Sequence, residues 1–185
     1  MSEELTRFLE DNQEKIFKKW KSVFLSSLGE EAKKFFSREV DPFQNPFGHR
    51  IEETFQGLVR IVLGEFKWEE ANYYLKRLVQ LLAVQEQVPS KALNLFIQLK
   101  GIIREEIGEE FLKRFGIEEF LRLEDKINAL LIKGFDYFYE YRERLNQIRY
   151  DEWKRNHFLL LKRAGLVYDP MEGMPQVEAE DKINQ

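Results

Sequence analysis

The stretch from about Glu118 to Arg163 contains no proline and keeps apolar residues at three- and four-residue steps. It therefore reads as one long or once-broken helix that follows a bend at Gly116. At ~1.5 Å per residue such a helix is longer than a small domain is wide, so its end is expected to project.

The remaining pattern is helical as well. Leu5, Phe8, Leu9, Ile16, Trp20, Val23 and Phe24 fall on one face of an amphipathic helix, with Asp11 and Asn12 interrupting the face so that the first turns read as a separate arm. Gly29 ends or bends that helix, and Glu31 to Glu39 reads as a shorter one. Asp41-Pro42-Phe43-Gln44-Asn45-Pro46-Phe47-Gly48-His49 holds two prolines, a glycine and good cap formers, which predicts an ordered loop. Phe43 and Phe47 are expected to pin that loop to the helix pair around Ala83 to Leu99. A second periodic segment carries Ile51, Phe55, Leu58, Val59, Val62 and Phe66 and ends near Gly64 to Lys67. A third, Trp68 to Gln87, carries Tyr74, Leu75, Leu78, Leu81, Leu82 and Gln85. Pro89 then suits the first turn of a new helix, with Ala92, Leu95, Phe96, Leu99, Ile102, Ile103 and Ile107 as its apolar stripe. No run alternates with a two-residue period, so the expected fold is all-α: a single helical bundle with a long C-terminal helix.

Length and composition fit one domain over residues 1–165. The polar, acidic stretch 166–185 lacks the apolar area to order itself and reads as a flexible tail. Apolar residues make up 43% of the chain, with Phe 16, Tyr 7 and Trp 3 to fill a core. The formal net charge of -4 is spread among mixed charges, which offers no positive field for nucleic acid. Cys 0 excludes disulfides, thiolate chemistry and cysteine-ligated metal. The N-terminus shows no basic leader before an apolar run, and no stretch is long and apolar enough to span a bilayer, so the expected location is the cytoplasm.

Chemistry is hard to find in this sequence. Carboxylate–histidine metal sites in bundles need a Glu-x-x-His repeat, and neither His49, with Pro46 three residues before it, nor His157, with Lys154, supplies one. Either histidine could be offered to a haem iron, but His49 is read as a cap at a helix start and His157 as part of a solvated charged stretch. Ser22, Ser26, Ser27 and Ser37 stand in no nucleophile turn, and glycine-rich phosphate loops are absent. Glu105, Glu106, Glu109 and Glu110 form a carboxylate patch that reads as a solvated face, with Lys113 and Arg114 four residues beyond the last two. No catalytic residue, cofactor or metal is therefore assigned.

The long helix also carries a heptad seam. Leu131, Phe138 and Leu145 recur at seven residues, and Gly134, Tyr141 and Ile148 form the second set. This predicts a homodimer interface at Leu131, Phe138, Tyr141, Leu145 and Ile148, with Ile127, Phe135, Tyr139 and Trp153 forming a lateral stripe that serves the domain's own core. A seam of this length also packs within one chain.

Three segments together resemble the N-terminal domain of the RsbT co-antagonist (stressosome sensor) family. They are Phe43-x-Asn45-Pro46-x-Gly48; Ala83-Val84-Gln85 through Pro89-Ser90, Ala92, Phe96 and Leu99-Lys100; and Phe135-Asp136-Tyr137 continuing through Arg142-Glu143 to Arg149 and Glu152. Where that family usually carries an arginine before Ala-Val-Gln, this chain has Leu82. The resemblance implies a globin-like helical domain without haem, usually dimeric, that senses a signal or docks a partner, here without the output domain. Each motif residue also has an ordinary reading as a cap or packing residue. Sequence alone thus points to a non-enzymatic sensor or adaptor acting on a protein partner. The alternatives are an accessory subunit of a larger redox or membrane-associated complex and a bundle that binds a small apolar ligand.

Overall fold

The computed structural model describes residues 2–28, 46–85 and 88–166. Among them the regular elements are all helical: α1 (Glu3–Ser26), α2 (Pro46–Leu63), α3 (Trp68–Val84), α4 (Pro89–Ile103), a single π-helical turn (Arg104–Gly108) and α5 (Glu109–Arg163). They form an all-α bundle. The chain divides into two compact units, Met1–Arg142 and Glu143–Gln185, so α5 contributes residues to both.

Helix starts follow their chemistry. Ser2 caps α1 by accepting the amide of Leu5 at 3.2 Å, and Glu3 and Glu4 place negative charge beside the positive end of the helix dipole. α1 then runs unbroken, which corrects the expectation of a separate arm. Asn12 does not break it because its side-chain amide donates back to the carbonyl of Phe8 at 2.8 Å, while Leu5, Phe8 and Leu9 are buried with the rest of the face. Pro46 opens α2, so Gly48 and His49 belong to a first helical turn rather than to a loop. A proline costs nothing there, since its missing N–H would have had no helical partner. The expected Glu31–Glu39 helix, Phe43 and Asn45 lie outside the described residues, as do residues 167–185 of the expected tail. Val88, extended at ψ 146, precedes Pro89 and starts α4. Gly116 has φ 81 and ψ 174, a conformation essentially reserved for glycine, and it breaks the helical path where the sequence placed a bend.

The core of the first unit is built on aromatic rings. α1 packs on α2 and α4, and α2 on α3. Trp20 meets Phe55 at 4.6 Å and Phe96 at 6.2 Å between ring centres, and its indole N–H donates to the carbonyl of Leu95 at 2.8 Å. That bond satisfies the one polar atom of a fully buried side chain. A second cluster joins Phe8, Phe111, Phe115 and Phe120 on both sides of the Gly116 break, with centroid distances from 5.3 to 6.1 Å.

α5 enters this core through Leu123, Ile127, Leu130, Gly134, Tyr137 and Phe138. Gly134 packs directly against the core, where a β-carbon would touch Leu75, Leu93 and Phe96 at 3.5 to 3.6 Å. Polar side chains fix the same segment. Lys126 donates to the carbonyls of Val62 and Gly64 at 3.0 and 2.7 Å, closing the C-terminal end of α2 with a cation. Burial pushes the Lys126 ammonium below its ordinary range, so these two carbonyls hold a partly desolvated charge. Tyr137 donates to Asn72 at 2.9 Å, and Arg142 donates to the carbonyl of Ala83 at 3.2 Å at the end of α3.

Candidate partner interface

Within the first unit, α5 is apolar on two opposite sides. Ile127, Leu130, Gly134, Tyr137 and Phe138 face the core, and a 100° step per residue puts Ile132 and Tyr139 on the far side with Phe135 on its flank. These three are 68%, 52% and 64% exposed. Ile117 and Leu121, earlier on that side, are exposed too. The outward row is edged by Asp136, which pairs with Lys133 at 3.4 Å, so its rim is polar and its centre apolar.

This phase corrects the sequence expectation. Phe138, assigned to a dimer seam, is 2% exposed and belongs to the domain's own core, while Phe135, assigned to the core, is outside. Leu131 and Tyr141 are half-buried against that core, and the Tyr141 hydroxyl accepts a hydrogen bond from Gln80 at 2.8 Å. Of the five expected interface residues, only Leu145, half-buried, and Ile148, exposed, lie in the second unit. The physical reason is the close approach at Gly134: a helix that brings its glycine against Leu75, Leu93 and Phe96 must turn Phe138, one turn further on, inward as well.

The described part of the second unit is the last stretch of α5. Residues 146–161 are all exposed, and they include Ile148, Tyr150, Trp153 and the run Phe158-Leu159-Leu160-Leu161. Tyr150 stacks on Trp153 at 6.2 Å, and Trp153 lies 4.1 Å from the His157 ring, whose Nδ1 sits 2.8 Å from the Trp153 carbonyl. Six Lys/Arg and three Asp/Glu are interspersed over residues 143–166. Four consecutive large apolar residues cover every side of a helix, and such a helix is normally buried.

The family-motif residues are dispersed. Pro46 and Gly48 stand in the first turn of α2, and Pro89 and Ser90 in that of α4. Lys100 is half-buried in the last turn of α4. Asp136, Glu143 and Arg149 are exposed. At the end of α3 Arg142 holds the Ala83 carbonyl, two residues before the C-cap residue Gln85. A cation there complements the negative end of the α3 dipole. Leu82, in the place of the family arginine, is a core residue.

Elsewhere, charges serve to hold helices. Glu109–Lys113 at 2.6 Å and Glu110–Arg114 at 3.1 Å are the ion pairs anticipated from four-residue spacing. Glu106 reaches across to Lys15 and Lys19 of α1, and Glu105 to Lys19 at 2.7 Å. The hydrogen bonds from these lysines hold the Glu106 carboxyl below its ordinary range, and those to Glu105 and Glu106 hold the Lys19 ammonium above its own. The π turn is what sets the two neighbouring glutamates against α1, and no spacing rule for a regular helix predicts it.

A cleft of about 300 Å³ between α1, α2 and α3 has Phe17, Val59, Gly57 and Tyr74 in its wall, but its rim carries Glu14, Glu53 and Arg60. Those charges are committed to Lys18, Arg77 and Glu70. Among the described residues no group of three or more His, Asp or Glu side chains is placed to hold a metal ion, and no helix is long and apolar enough to cross a membrane. Comparison of the chain with family models, curated proteins and solved structures finds no match.

Proposed function

We propose that this chain is a non-enzymatic regulatory adaptor or sensor module of the cytoplasm, working by docking a protein partner on the outward face of α5 at Ile132, Phe135 and Tyr139. The observation that carries the reading is that three large side chains are more than half exposed on a helix whose other face is packed into the core. Aromatic side chains on a fixed scaffold lose little freedom when covered and are favoured anchors of interfaces. The resemblance to the RsbT co-antagonist sensors supports signal transduction as the context and a globin-like arrangement of the bundle. With Leu82 buried in place of an arginine, the partner is recognised through apolar contact rather than through that charge.

The test is capture from extract of the source organism with immobilised chain, comparing wild type with Phe135→Glu. A stoichiometric partner retained by wild type and lost with Phe135→Glu is the expected outcome. Equal retention by both proteins would sink the assignment of this face.

A further inference from the structure

We infer that residues 145–162 of α5 pair with the same residues of a second copy of this chain, antiparallel, about a two-fold axis between Glu152 and Arg155. The inference rests on the reading of the chain as an interaction module and assigns the partner of its second unit.

Leu145, Ile148, Glu152, Arg155, Leu159 and Lys162 are spaced 3, 4, 3, 4 and 3 residues apart, the a/d spacing of a coiled coil. Ile148, Glu152, Arg155 and Leu159 are exposed, so the middle of the row is open, while Leu145 and Lys162 at its ends are half-buried. Two opposite charges thus interrupt an apolar row at adjacent layers, and neither Glu152 nor Arg155 forms an ion pair among the described residues.

Charge decides both the occupant and its direction. In a parallel pair each layer repeats one residue, so Glu152 would face Glu152 and Arg155 would face Arg155 of the second copy. Like charges held together in a seam oppose association. In an antiparallel pair, a positions face d positions. Ile148 then meets Leu159 of the second copy, Leu145 meets the methylene stem of Lys162, and Glu152 meets Arg155. All these layers share one centre, so a single two-fold axis satisfies the whole row, with two reciprocal Glu152–Arg155 pairs in the middle. A polar layer at a and d positions costs some stability and fixes register and orientation.

The absence of native cysteine makes the arrangement directly measurable. Oxidation of full-length Ile148→Cys, Leu159→Cys carrying both substitutions should give a covalent dimer. Ile148→Cys alone should give none, because in the antiparallel register the two copies of residue 148 are separated by roughly 16 Å along the helices. Light scattering up to about 100 μM should find wild type dimerising. Either Glu152→Arg or Arg155→Glu should weaken the dimer by about tenfold or more, and the double exchange should restore it. Circular dichroism of each variant confirms that these exposed positions have not cost helix. A monomer throughout that range, cross-linking through Ile148→Cys alone, or a double exchange no tighter than the single ones would overturn the proposal. None of these results bears on capture of a different protein through Phe135, which reports on the first unit.

Discussion

Phe135 and Phe138 are three residues apart on the same helix, have the same side chain, and live in opposite worlds. Phe138 is packed among the core residues, while Phe135 stands half in water at the edge of the outward face of α5. The contrast repeats along the helix: Ile127, Leu130 and Tyr137 are buried, while Ile132 and Tyr139 are exposed. An apolar residue on this helix is therefore no sign of its own core. Where two opposite faces are both apolar, only one can be spent on the domain, and the other is available for recognition.

The largest expected effect tests that contrast. Phe138→Ala should cost ~3–5 kcal/mol, since it empties a buried aromatic site that its neighbours can only partly refill. Phe135→Ala should stay within about 0.5 kcal/mol of wild type, as surface changes away from special features do. Chemical denaturation of both variants measures the difference. Similar losses for the two would mean that the helix phase is wrong and that the outward face belongs to the core.

A smaller effect is expected at the break that sets this phase. Gly116→Ala places a β-carbon at φ 81, ψ 174 in a region costing roughly 1–3 kcal/mol for other residues, although nothing stands within 4 Å to clash with it. The penalty is conformational rather than steric, so Gly116→Ser should lose as much as Gly116→Ala. A variant as stable as wild type would show that the bend is not required to bring Phe111 and Phe120 together at 5.4 Å.

Much of this architecture could be read in the chain, because it rests on local rules. Pro89 opened α4, Gly116 bent the last helix, and the stripes of α1 through α4 went inward as their periodicity required. The Asp11–Asn12 interruption misled because a back-bonded asparagine is indistinguishable in sequence from a helix breaker. The outward face was missed for a different reason. Over residues 127–141 apolar side chains cover more than half of the helix circumference, and periodicity alone then gives no unique phase. Gly134 was the usable signal, since a small residue marks where a helix meets its neighbours most closely, here Leu75, Leu93 and Phe96. The Glu105–Glu106 pair had no comparable signal, because its partners on α1 are some ninety residues away in sequence and are met only through the π turn.

That pair gives the smallest and most condition-dependent expectation. Glu106 accepts from Lys15 and Lys19, and these bonds lower its carboxyl pKa from 4.5. A carboxylate whose folded value lies below its unfolded one contributes stability that is fully present above about pH 5 and fades as pH falls through the folded value. Lys19 works in the opposite sense. Its ammonium is raised from 10.5, so its share is present below that value and is lost as pH rises through the folded one. Between those limits the clamp between α1 and the π turn is constant. Lys15, Lys19 and Glu105 are exposed while Glu106 is largely covered, so salt should weaken the clamp in part. The melting temperature of Glu106→Gln should therefore lie slightly below wild type at pH 7 and low ionic strength. The gap should narrow in ~0.5 M salt and close as pH falls through the folded value and the wild-type carboxylate is protonated. A gap that stayed constant across pH and salt would mean that Glu106 contributes through packing of its stem against α1, with its charge irrelevant to how the bundle is held.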